Sequence, residues 1–142
     1  MFVPIVQPEG TGNITSANVD QFLEFSRQVH PVLGFDVVIR QQPFTSDRDE
    51  LTPNDGAGWG GLLQDLEAAR TMQGTQRFFH GILKASYSGG IAGIGFIGGK
   101  SAITWDHLPS ASGIVAHVLG HNYGQFHAPC GAPNGPGQNY TY

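Results

Sequence analysis

Charge is scarce in this chain of 142 residues. Asp, Glu, Lys and Arg make up 13% of it, about half the roughly 25% of an ordinary globular protein. The net charge is −4, and the five arginines and two lysines are scattered, so nothing favours nucleic acid or an anionic membrane as partner. No apolar run approaches the roughly 20 residues of a spanning helix. The start, Met1-Phe2-Val3-Pro4-Ile5-Val6, lacks the basic opening and long apolar core of a signal peptide. Cys130 is the single cysteine, which excludes a disulfide within the chain and leaves the compartment open. Methionine occurs only at Met1 and Met72. Low charge does not mean disorder here: 39% hydrophobic residues in a chain of this length suffice for one domain with a real core.

What is plentiful is glycine, 21 residues, and it punctuates an alternating pattern. Residues 2 to 7 read as an apolar strand. After a loop, Thr15 or Ser16 is placed to cap a helix whose buried stripe is Val19, Phe22, Leu23, Ser26 and Val29. Pro31 should end that helix near His30. The β-branched run from Phe35 to Arg40 predicts a second strand, and the polar residues 42 to 58 a long loop. Trp59, Leu62, Leu63, Leu66 and Ala69 define a second helix, with Gly74 just past its end. Strands are expected at 77 to 83, at 91 to 97 and, after a Gly98-Gly99 turn, at 101 to 105. Glycines inside the 91–97 segment predict close approach of another backbone, or a bulge. The order predicts an α/β fold: a mixed, mostly parallel five-stranded sheet with an antiparallel edge strand, packed on two helices and a buried third. From Ala128 onward the pattern is lost to proline and glycine.

Pro109 and Ser110 open that third helix, which is apolar nearly all round and therefore buried. It carries His117 and His121, four residues apart and so on one face. Gly124 can take the positive φ that ends a helix, allowing His127 to swing back and complete a three-nitrogen metal site with an open fourth position. Gly113 leaves room on the same face. Val118 lies about 60° round the helix from His121, beside the metal position. The other histidines read as structural: His80 within a strand, His30 in a last helical turn where it favours the dipole, and His107 as a capping or surface group.

The stretch His117-Val118-Leu119-Gly120-His121-Asn122-Tyr123-Gly124-Gln125-Phe126-His127 resembles the zinc signature of the metzincin metallopeptidases, H-E-x-x-H-x-x-G-x-x-H, in particular of reprolysin-like bacterial members. The order of strands and helices is similar to the N-terminal subdomain of that family. The resemblance implies that residues 1–127 form this subdomain and that 128–142 begin a C-terminal one. It implies one Zn²⁺ held by His117, His121 and His127, with Gly124 as the turn. It also implies an edge strand at Gly93, Ile94, Gly95 and Phe96 along which a peptide or protein substrate lies extended. Cys130 would pair with a cysteine beyond this stretch, pointing to a secreted or cell-surface protein.

Two departures stand out. The glutamate that serves the family as general base is replaced by Val118, and the methionine turn beneath the zinc has no counterpart. The resemblance therefore implies a zinc endopeptidase domain with strongly reduced turnover, or alternatively a zinc-containing domain that binds peptide without cleaving it. A purely structural zinc would want a fourth protein ligand. Asp106 and Glu67 are the acids that could stand in for the glutamate if the fold brought them to the site.

Overall fold

A computed structural model describes residues 1–127 apart from Pro53, Ser86 and Ser88. The segment 128–142, with Ala128 and Cys130, lies outside the described residues. The elements in order are β1 (Phe2–Gln7), β2 (Gly10–Thr11), α1 (Val19–Val29), β3 (Phe44–Thr45), α2 (Gly56–Met72), β4 (Phe79–Leu83), β5 (Gly93–Gly95), β6 (Ser101–Trp105) and α3 (Ser110–Asn122). The protein is mixed α/β. Its six-stranded sheet runs β2-β1-β4-β6-β5, with β3 also on β1. The β1–β3, β1–β4 and β4–β6 pairs are parallel, and the outer β2 and β5 are antiparallel to their neighbours.

Alternation along the central strands divides the helices between two faces. Val3, Ile5, Phe79, Leu83 and Ile103 pack with Trp59, Leu62, Leu63 and Leu66 of α2. Phe2 and Ile82 point the other way, into a core shared by α1 (Val19, Phe22, Leu23) and α3 (Ala111, Val115, Leu119). The histidine helix thus lies beside α1, with α2 across the sheet. Among the described residues no helix is long and apolar enough to cross a membrane.

Several expectations are corrected. The sheet has six strands, not five. Residues 35 to 40 are not a strand: Phe2 N–H donates to Val38 O (2.7 Å) and Arg40 N–H to Phe2 O (2.8 Å), and pairing goes no further. Residues 42 to 58 are not a single loop, since they supply β3 and the start of α2, where Asp55 Oδ1 accepts from Gly58 N–H (2.8 Å). Neither Thr15 nor Ser16 caps α1. Asn18 precedes the helix, and its Oδ1 accepts from Thr15 N–H (2.7 Å) to close a turn. Ser110 does not cap α3 but donates its hydroxyl back to His107 O (2.8 Å). The ends of α1 and α2 lie where Pro31 and Gly74 predict, with Gly74 at φ +62.

Candidate metal centre

α3 ends in a glycine cap, and that cap builds the site. Gly124, at φ +87, reverses the chain. Its N–H donates to His121 O (2.8 Å), and Gln125 N–H donates to Gly120 O (2.9 Å), the paired bonds of a Schellman motif. The reversal carries His127 back over the face that bears His117 and His121. The three Nε2 atoms then form an equilateral triangle, 3.0 Å on each side.

Three imidazole nitrogens facing one another at that distance cannot all be satisfied by each other's protons. A shared cation satisfies all three. Ligands at about 2.0–2.1 Å around a tetrahedral ion stand roughly 3.3 Å apart, so the triangle is slightly tighter than ideal and fits. The tautomer of His121 is fixed from outside. Its Nδ1 lies 2.8 Å from Gln125 O, a carbonyl that can only accept, so Nδ1 carries the proton and Nε2 keeps its lone pair. Burial, then the neighbouring His121 and His127, hold His117 below the usual histidine pKa, which favours the neutral, ligating form. Among the described residues, this trio is the one group of His, Cys, Asp or Glu that can hold a metal ion.

The triad faces a groove whose other wall is the sheet edge, lined by Gly93, Ile94, Gly95 and Ile97. Trp105 N–H donates inward to Ala92 O, and Phe96 N–H to Ser101 O. Alternation along an antiparallel pair therefore turns the N–H and C=O of Gly93 and Gly95 outward, toward the open edge. Phe96, expected on the substrate edge, is not among the groove's lining residues. Its carbonyl is occupied by Asn122 Nδ2–H (3.0 Å), and its ring packs against the core on the α2 side.

The sequence expectation for glycine in β5 has a structural cause. A Cβ on Gly93 would stand 2.7 Å from Ile114 Cγ2, and one on Gly95 would stand 3.0 Å from the Val118 carbonyl oxygen. α3 thus lies directly against the strand. Val118 is completely buried in that contact and lines neither recess beside the histidines.

Neither acid considered as a stand-in reaches the triad. Glu67 belongs to α2, across the sheet, where Arg70 and then Ser101 Oγ bind its carboxylate and hold its pKa down at about 2. Asp106 accepts from Asn13 N–H (2.8 Å) and the Tyr87 hydroxyl. His107 stacks on Tyr87, and His80 is buried beside Thr104.

Three contributors escaped the sequence reading. Asn122 is buried, and its Nδ2 donates to both Phe96 O and Ser101 O at 3.0 Å, tying the end of α3 to the β5–β6 turn. Gly98 N–H donates to His121 O (2.8 Å) and strengthens the same tie. His30 reaches α3 from α1, with Nε2 3.0 Å from Ala116 O. A run of Gly-His-Asn at a helix end offers a signal for Asn122. Nothing local announces the contact of His30, 86 residues away.

No protein-family model and no curated protein matches the sequence, so the functional reading rests on the chain's own geometry.

Proposed function

We propose that this chain is a metzincin-like, zinc-dependent metalloendopeptidase domain whose turnover is strongly reduced by Val118. In this reading His117, His121 and His127 hold one Zn²⁺, and a peptide or protein substrate lies extended along β5. The observation that carries it is the 3.0 Å triangle of Nε2 atoms facing a strand edge with outward backbone groups at Gly93 and Gly95. Three imidazoles with an open position suit zinc among the common metals. When bound, zinc supplies Lewis acidity, polarising a carbonyl and lowering the pKa of water to about 7.

The chain's own residues orient the partners. The two glycines offer an extended peptide hydrogen bonds without side chains in the way, and the Schellman turn holds His127 in register. What the groove lacks, among the described residues, is a carboxylate to take and return a proton, a step worth about 10²–10⁴-fold. Val118 can do neither. Its complete burial favours the second reading, a zinc-containing domain that binds peptide without cleaving it.

The test compares the chain with its Val118→Glu variant, zinc present, on unfolded protein substrates. Chelator-sensitive cleavage restored by glutamate supports the impaired-enzyme reading. Stoichiometric zinc with no cleavage in either protein leaves the binding reading. Less than about half an equivalent of tightly bound zinc removes the three-histidine site from both.

A further inference from the structure

We infer that His30 is a positioning residue for the three-histidine site, an inference that rests on the metal-binding reading above. His30 is the first residue beyond α1, extended at φ −93, ψ 133, because Pro31 follows it. That conformation turns its ring onto α3, where it is 7% exposed. Nε2 lies 3.0 Å from the carbonyl oxygen of Ala116. A carbonyl can only accept, so Nε2–H is the donor.

Ala116 immediately precedes the first histidine of the triad. The contact continues along the helix: the ring meets Tyr123 edge-on at 5.1 Å, 87°, and a Cβ on Gly120 would stand 3.8 Å from His30 Cε1. Ala116 and Gly120 of α3 and Tyr123 just past its end continue one stripe, next to the stripe that bears His117 and His121. His30 therefore grips α3 from beside the ligands, lining one recess with His117, His121 and His127, through one hydrogen bond of fixed direction. It sets the rotation and height of the helix relative to α1, and with them the direction in which the two imidazoles converge.

A second tie between the same helices provides the control. Ser112 Oγ accepts from Phe25 N–H at 3.0 Å, one turn before the ligands. Losing it should loosen the α1–α3 contact without rotating the ligand-bearing turns.

The experiment titrates the apo chain with Co²⁺ and with Zn²⁺, and records the visible Co²⁺ spectrum and the thermal midpoint. The proteins are the wild-type chain, His30→Leu, His30→Gln and Ser112→Ala. His30→Leu keeps bulk and removes the donor. It should weaken metal binding about tenfold, at the lower end for a group supporting a ligand, and alter the Co²⁺ bands. His30→Gln keeps an N–H near the Nε2 position and should stay within about threefold of wild type. Ser112→Ala should lower the thermal midpoint while affinity and spectrum hold. Should His30→Leu not fold, His30→Asn, too short to reach Ala116, carries the same expectation. Equal affinity in His30→Leu and wild type, or equal loss in His30→Leu and Ser112→Ala, overturns the inference while the metal site stands. A wild-type chain that binds neither ion overturns the site and the inference together.

Discussion

Val118 and Gly95 meet face to face. A Cβ on Gly95 would stand 3.3 Å from Val118 Cβ and 3.0 Å from its carbonyl oxygen. Val118 is thus the packing link between the histidine helix and the sheet edge. A methyl at position 95 would also stand 3.2 Å from Ala102 Cβ of the paired strand, so its neighbours must shift by a few tenths of an ångström to admit it. Gly95→Ala should cost about 1–3 kcal/mol of stability by overpacking, read from urea unfolding. Val118→Ala, which removes two buried methyls and leaves a void, should cost about 2 kcal/mol. A cost near zero at both positions would mean that the helix does not press on the strand.

Metal should stabilise the fold, since the Schellman turn and the triad exist together only in the folded chain. Free zinc at a hundred times Kd adds about 2.7 kcal/mol, which for a chain of this size raises Tm by roughly 10 °C. His117→Ala should abolish that shift. Gly124→Ala, strained at φ +87, should lower apo stability by about 1 kcal/mol and weaken zinc as well, because His127 depends on the turn. Differential scanning fluorimetry with zinc and with chelator separates the two effects.

How far the sequence could be read follows from which contacts are local. The triad was legible because its geometry is written within eleven residues: a helical repeat of four, a glycine, and a return. α1 and α2 were legible from their apolar stripes and from Pro31 and Gly74. Residues 35 to 40 were misread because a β-branched run announces a strand but not its partner. One edge of β1 is shared between two short pieces, at 38–40 and 44–45, so neither extends. Phe35, Val37 and Ile39 still pack against the α1–α3 core, which explains the pattern without a full strand. The same non-locality hid Asn122 and His30, whose partners lie 26 and 86 residues away. It also hid the separation of Glu67 from the site, since the face on which a helix lands depends on the crossover and not on its own residues.

Acid should destabilise the protein through His80. Burial lowers its pKa to about 3 in the folded chain, against 6.5 for the ordinary residue. Between those values the unfolded chain binds a proton that the folded chain refuses. Stability is therefore complete above about pH 6.5 and falls as pH drops toward 3, by about 1.4 kcal/mol per unit well inside the window. His80→Gln removes this dependence, so the difference between the two stability curves should slope between pH 6 and pH 4, the variant losing less than wild type as pH falls. Urea unfolding in chelator isolates the effect from the metal ligands. Parallel curves for the two proteins would show that His80 is protonated without cost.

Asn122 is where the site and the fold are hardest to separate. Both hydrogens of its amide are used, on Phe96 O and Ser101 O, and the two carbonyls flank the turn between β5 and β6. Asn122→Asp replaces the donors with an acceptor aimed at two acceptors in a buried position, and should cost about 3 kcal/mol or more. Asn122→Leu, apolar and near in size, leaves Phe96 O and Ser101 O with only their turn donors, Gly99 N–H and Phe96 N–H, and the two lost hydrogen bonds should cost about 2 kcal/mol. The loss should also have a direction. Gly98 N–H, bonded to His121 O, should exchange with solvent faster in both variants, while amides of β4, two strands from the edge, slow or quicken only with global stability. If exchange at Gly98 follows global unfolding in the wild-type chain and in both variants, the hairpin and the end of α3 move as one body without help from Asn122. If it quickens alone, Asn122 is the bond that keeps the β5 edge in register with the histidines.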